Sequence, residues 1–231
     1  MEKKISLIII SKNEIEGLRF IGERINSQKK FLNEIILVDG QSTDGTIEYA
    51  KTLGWNVIVQ KDNELGIING LRIGIENSNS EYVTMFTPDN NCIPEKIEEV
   101  HNILSKDPTI DMITVSRYFK DAKSYDDNLI SGFGNWMFTF LVNLLFRTKY
   151  TDVLGIYRCF KKSLIKELGI KFDLLSISTT LCIRCKKRDK KVIDIAGDEP
   201  DRVGGQSYRS YIKNGIQELY TIFREFIFKK L

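Results

Sequence analysis

The run ISLIIIS at residues 5–11 is apolar almost throughout, and EIILVD at 34–39 repeats the pattern. A strand apolar on both sides of its pleat must be covered on both faces. That demands helices above and below a sheet, and the intervening segments supply them. Residues 14–28 carry Ile15, Leu18, Ile21 and Ile25 at helical spacing, and TIEYAKTLG reads as a helix closed by Gly54. Residues 66–77 and PEKIEEVHNILS, with Pro94 in its first turn, are also helical. NVIVQ (56–60) and YVTMF (82–86) are further strands. The alternation predicts an α/β fold, a mostly parallel sheet flanked by helices.

The second half is less regular. TIDMITVSRY (109–118), GIYRCF (155–160) and KVIDIA (191–196) read as strands, and 127–146, 161–168 and 174–187 as helices. DEPDRVGGQS (198–207) is a loop. From about 208 to 230 one amphipathic helix is expected, with Ile212, Ile216, Leu219, Tyr220, Phe223, Phe226 and Ile227 on one face. A chain of 231 residues suits one globular domain, expected over 1–207, with a C-terminal amphipathic helix at 208–231.

In parallel sheets, ligands bind beyond the carboxyl ends of the strands. Three polar clusters fall there: SKNE (11–14), DGQSTDGT (39–46) and TPDNN (87–91). They carry neither GxGxxG nor GxxxxGK[ST], which excludes the dinucleotide fingerprint and the P-loop. Asp39, at a strand end, can accept hydrogen bonds from a base or from ribose hydroxyls. STDGT is equally good as a helix cap, with Ser42 or Thr43 as the capping residue. Asp89 suits Mg2+ or Mn2+, which favour carboxylate, amide carbonyl and phosphate oxygens, and Asn91 can add a carbonyl. PDNN is also ordinary Asx-turn chemistry.

Charge is uneven. The net charge is +3, yet residues 147–191 hold 13 Lys/Arg against 4 Asp/Glu. A basic half points to an anionic partner such as phosphate or a membrane surface, or to a solvated basic face. Cys182 and Cys185 form a CxxC, but Cys92, Cys159 and His101 give no second ligand pair, so zinc is not expected. Unpaired cysteines point to the cytoplasm. ISLIII is too short for a signal peptide, and Leu129–Phe146, interrupted by Ser131, Gly132, Gly134, Asn135 and Asn143, predicts a poor bilayer span.

Taken in order, SLIIISKNE, EIILVDGQSTDGT, FTPDNNCIPEKI, TVSRY and DVLGIYRCFKK resemble the family 2 glycosyltransferases of GT-A fold. Within that family the chain is most similar to the dolichyl- and polyprenyl-phosphate sugar synthases, to about residue 207. The resemblance implies inverting transfer from a nucleotide diphosphate sugar. The donor-binding residues are then Ser11, Asn13, Glu14, Asp39, Ser42, Asp44, Asp62 and Pro88, and Asp89 and Asn91 hold Mg2+ or Mn2+. There are two departures. The first acid of the family's metal motif falls on Thr87, and the usual catalytic carboxylate, counted back from Arg184, falls on Ser178.

A sugar hydroxyl needs a base, since its pKa is roughly 15. A phosphate monoester, with a second pKa of about 6, is already a nucleophile at neutral pH. It needs only cations to aim it, and Arg117, Arg158 and Arg202 match arginine positions of the lipid-phosphate branch. With Asp89, and with Asp152 orienting Arg158 or acting near the acceptor, they form the expected catalytic set. Residues 129–146 match the branch's membrane-contacting segment, and the tail ends FKKL.

The expected partners are a nucleotide-sugar donor, a polyprenyl phosphate and the inner membrane face, with no nucleic acid. A homo-oligomer contact or core packing is the alternative for the tail. The alternative functions are transfer to a saccharide hydroxyl, with Asp152 or Asp173 as base, or a nucleotide-binding scaffold without activity.

Overall fold

A computed structural model describes residues 5–204 and 210–228. The strands are β1 (Ile5–Ser11), β2 (Leu32–Asp39), β3 (Asn56–Val59), β4 (Tyr82–Phe86), β5 (Met112–Ser116), β6 (Arg158–Lys161) and β7 (Val192–Ala196). They form one sheet in the order β3-β2-β1-β4-β6-β5-β7. All pairings are parallel except those of β6, which runs antiparallel to β4 and β5. The helices are α1 (Ile15–Ser27), α2 (Thr46–Thr52), α3 (Ile67–Asn77), α4 (Lys96–Lys106), α5 (Leu129–Phe146), α6 (Leu164–Glu167), α7 (Ile177–Lys187) and α8 (Tyr211–Ile227).

The apolar run of β1 is explained by its place between β2 and β4. Leu7 and Ile9 pack with Leu18, Ile21 and Ile25 of α1, whereas Ile8, on the opposite face, packs with Leu71 and Ile75 of α3. Each face therefore has its own apolar core, as a doubly covered strand requires. The carboxyl ends of β1, β2 and β4 lie side by side, pairing Ser11 with Asp39 and Ile9 with Phe86. This α/β arrangement, with α8 following it, is the expected GT-A-like architecture.

Two elements depart from expectation. Helix α2 is not capped by Ser42 or Thr43. Its N-cap is Gly45 at φ 95°, and the Asp44 carboxylate receives the Thr46 N–H at 3.0 Å. Helix α5 was expected to be a poor span, yet its 18 residues are long and apolar enough to cross a bilayer, and only 22% of them are buried. Its polar residues face inward: Asn135 and Thr139 are buried, while Leu129, Phe133, Trp136, Phe140 and Leu144 form an exposed stripe.

Helix α8 has the same inverted character. It buries Thr221, Ile222 and Glu225 and exposes Ile212, Ile216, Tyr220, Phe223 and Ile227. Ser176 meets Thr221 at 2.6 Å, and Arg184 and Lys187 both pair with Glu225. The polar seam docks α8 on α7 and leaves its apolar stripe uncovered. Ordinary core packing therefore does not account for that stripe. Helices α5 and α8 run side by side in the same direction, since Asn128 donates to Tyr211 at one end and Phe146 meets Phe226 edge-on at the other. Of the expected 208–230 helix, Ser210 and Phe228 cap α8, and 208–209 and 229–230 lie outside the described residues.

Candidate active site

Asp39 builds the first wall. Its carboxylate accepts from Ser11 Oγ (2.7 Å), the Ser42 N–H (2.6 Å) and Ser42 Oγ (2.7 Å), and it is fully buried. Those bonds fold the loop after β2 back onto the end of β1. Asn13, at φ 53°, completes the join: its N–H donates to Ser42 Oγ and its Oδ1 accepts from the Thr43 N–H. Asp39 uses three acceptor positions inside the protein, and with Ser11 it shapes the loop. Asp44 and Asp62 are exposed on this edge. Gln41 holds Asp62 at 2.6 Å. Burial works against the Asp44 charge, but hydrogen bonds from Thr46 and Ile15 outweigh it and hold its carboxyl below the usual range.

Asp89 and Glu14 make the second wall, and both are bound to Arg202. Arg202 Nη1 donates to Asp89 Oδ2 at 2.5 Å and Nη2 to Glu14 Oε1. Asp89 Oδ1 also accepts the Asn91 N–H at 3.3 Å, so the Asx-turn and the acidic site coexist. Burial, together with the neighbouring Asp89 and Asp44, pushes the Glu14 carboxyl up to about 7, against the pull of Arg202. Glu14 Oε2 is buried without a hydrogen-bond partner.

The segment carrying Arg202 is strapped across the β4 loop. Asn91 Nδ2 donates to Pro200 O, Asn90 Nδ2 to Asp201 O, and the Val203 N–H to Asp89 O, at 2.9, 3.0 and 2.9 Å. Gly17, in the first turn of α1, lets Pro88 approach: a Cβ there would lie 2.5 Å from Pro88 O.

The residues at the expected metal position fit a cation, since the Asp89 and Glu14 carboxylates already converge on the Arg202 guanidinium. Among the described residues no group of three or more His, Cys, Asp or Glu side chains is placed to hold a metal ion by itself. A divalent ion would therefore take its remaining ligands from Asn91, water or a bound diphosphate.

The expected arginine cluster divides. Arg158 is fully buried and donates to Thr114 Oγ1, Cys182 Sγ and the Asp152 carbonyl. It ties β6 to β5 and α7 and is removed from the phosphate-binding set. Arg117 donates through Nε and Nη2 to Asp152, through Nη1 to Glu199 and through Nη2 to Asn135. Its donors are occupied by Asp152, Glu199 and Asn135, so in this arrangement Arg117 offers no open donor to the expected acceptor phosphate. Asp152 orients Arg117 with its carboxylate and Arg158 with its carbonyl. Arg202 is the member of the expected arginine set that lies against Asp89 and Glu14.

Beside Arg117 opens a pocket of about 270 Å³, lined in part by Tyr118, Asn135, Trp136, Thr139, Phe140 and Thr151. Glu199 and Asn135 were not singled out in the sequence. A glutamate in a polar loop and an asparagine in an apolar helix gain meaning only when folding sets both against Arg117. Ser178 is buried, and the neighbouring Thr179 meets Glu218 of α8.

Comparison with known proteins agrees with this architecture. Glucosyl-3-phosphoglycerate synthase from Mycobacterium tuberculosis, solved with Mn2+, UDP and phosphoglyceric acid, superposes with a TM-score of 0.74 at 16% identity, covering 97% of this chain and 78% of that one. The same protein with Mg2+ and UDP gives 0.69, at 16% identity over 96% and 79%. Glycosyltransferase AglJ of Haloferax volcanii is 25% identical over 158 residues, 68% of this chain and 50% of AglJ. An uncharacterized glycosyltransferase of Rickettsia prowazekii is 52% identical over 58 residues, 25% of this chain. The chain spans 19% of that relative's length and half of AglJ's. The family model described as Glycosyl transferase family 2 matches residues 6–169, well over half of the chain, and the protein belongs to that family.

Proposed function

We propose that this protein is an inverting glycosyltransferase that moves a sugar from a nucleotide diphosphate sugar to a polyprenyl phosphate at a membrane surface. The observation that carries the acceptor is the pair of uncovered apolar stripes on α5 and α8, with the Trp136–Phe140 pocket opening beside Arg117. A long isoprenoid chain needs such a surface, and a soluble acceptor does not. The glucosyl-3-phosphoglycerate synthase likeness supports the fold alone.

The donor's diphosphate lies against the walls made by Asp89, Glu14 and the loop folded by Asp39. Asp89 with Asn91 would hold Mg2+ or Mn2+, which would offset the diphosphate charge. The acceptor phosphate oxygen attacks the anomeric carbon as the bond to the β-phosphate breaks, and the nucleoside diphosphate leaves with the electron pair. No proton moves, so serine at position 178 is no obstacle. Arg202 supplies the cation that aims the acceptor. Asp152, Glu199 and Asn135 fix Arg117 as a brace beneath the pocket. The enzyme acts peripherally, at the cytoplasmic face of the membrane.

The test is turnover of UDP- and GDP-sugars with a short polyprenyl phosphate, the matching polyprenol and soluble sugar acceptors. Lipid-linked sugar formed from the phosphate alone is the expected result. Transfer confined to sugar hydroxyls would overturn the acceptor assignment.

A further inference from the structure

Arg202 stands where a cation is needed before any ligand is present. Its guanidinium bridges Asp89 and Glu14, its Nε donates to the Gly204 carbonyl at 3.0 Å, and its side chain is 17% exposed. The strap does not depend on that side chain. The bonds of Asn90, Asn91 and Val203 hold residues 200–203 in place through backbone and amide groups. The guanidinium can therefore leave its carboxylates while the segment bearing it stays docked. It also leaves one oxygen of the pair, Glu14 Oε2, unsatisfied.

A nucleoside diphosphate entering this acidic corner brings a divalent cation of its own. Two cations sharing Asp89 repel each other, and the guanidinium is the one tethered by a flexible stem. We propose that Arg202 is a place-holder: it neutralises Asp89 and Glu14 in the empty enzyme and is exchanged for the metal carried by the donor. Once released, it receives the acceptor phosphate. This rests on the reading of donor and acceptor given above and deepens it. Binding is then ordered, because the acceptor's cation is locked until the donor arrives.

Mn2+ binding, followed by its electron paramagnetic resonance with and without UDP or GDP, tests the exchange without any acceptor. Wild type should hold Mn2+ weakly alone and tightly with nucleotide. Arg202→Gln, lacking the internal competitor, should bind Mn2+ alone about tenfold more tightly. A variant that binds Mn2+ no better overturns the exchange. So does a wild type whose nucleotide binding ignores Mn2+ and is lost in Arg202→Gln, since Arg202 would then be the diphosphate's permanent cation.

A second measurement uses the wild-type protein. The Arg202 Nε–H resonance, assigned by its disappearance in Arg202→Lys, should move when Mg2+ and nucleotide are added together. A resonance that stays in place refutes the proposal whether or not the glutamine variant folds. Exchange without transfer to polyprenyl phosphate would remove only the acceptor assignment. Transfer without exchange would remove only the place-holder.

Discussion

Asp152 grips Arg117 by two parallel bonds, Nε to Oδ2 at 2.7 Å and Nη2 to Oδ1 at 3.0 Å, and its Oδ1 also receives the Gly155 N–H at 2.7 Å. Burial works against this charge, but Arg117 outweighs it and holds the Asp152 carboxyl down at about 2. A carboxyl depressed on folding contributes stability that is present above its ordinary pKa and lost as pH falls through the folded value. Asp152→Asn should cost about 3–5 kcal/mol at neutral pH, because it leaves a buried guanidinium under-compensated. Urea unfolding between pH 7 and pH 2 checks this. The wild type should lose stability over the window from about 4 down to about 2, and the variant should be flatter there.

Gly17 is a steric prediction. A Cβ at this position would meet Pro88 O at 2.5 Å, Val203 O at 2.9 Å and the Asp89 Cα at 3.1 Å, all of them backbone atoms. Gly17→Ala should destabilise by about 1–3 kcal/mol, as overpacking does, and weaken metal-dependent nucleotide binding by parting the Asp89 loop from its strap. Gly22→Ala on the same helix is the control. Its Cβ meets the far end of Leu53 at 2.7 Å, a side chain that can turn aside. Calorimetric titration of both variants with Mn2+ and nucleotide should show a binding loss for the first only.

The sheet and its covering helices were legible because each rests on a local pattern: unbroken apolar runs for β1 and β2, helical spacing for α1, polar tips where strands end. The reversed direction of β6 was not, since strand orientation depends on where the chain re-enters the sheet. The burial of Arg158 depends on the same re-entry of the chain. It lies between Tyr157 and Cys159 in an apolar strand, which is itself a signal of burial. Asp39 ends its strand fully buried, and nothing in the run it closes announces that Ser11, from another strand, will help to enclose it. The inverted polarity of α8 was hidden as well. Thr221 and Glu225 gain buried partners only when Ser176, Arg184 and Lys187 are brought against them.

Glu218 should make the docking of α8 sensitive to pH. It lies against Thr179, and burial pushes its carboxyl up to about 7, opposed by hydrogen bonding to Thr179 and by the charge of Arg158. A carboxyl raised on folding binds its proton more tightly in the folded state, so stability falls as pH rises from the unfolded value of about 4.5 to about 7. Glu218→Gln keeps the shape and removes the ionisation. The variant should match the wild type near pH 5, exceed it by about 1–3 kcal/mol at pH 8, and have a flatter profile between. Denaturation across that range checks the sign. Equal slopes would mean that the carboxyl ionises freely in the folded chain.

Trp136 reports directly on the exposed stripes. It is 61% exposed and stacked on Phe140 at 5.7 Å, whereas Trp55, the second tryptophan, is 6% exposed. Any emission shift on ligand addition therefore belongs mainly to the α5 surface. Vesicles containing anionic phospholipid should shift the emission to the blue and carry the protein down on centrifugation, less so at high salt, because the adjoining half of the chain is basic. Phe133→Ser combined with Phe140→Ser should lower partitioning by roughly tenfold or more, since each buried Phe contributes about 1.5–3 kcal/mol. A dimer covering the same stripes would show the blue shift without lipid, growing with protein concentration in sedimentation velocity. Recovery wholly in the supernatant at low salt, with emission unchanged, would mean that the stripes do not meet a bilayer and that a free lipid acceptor has no platform here.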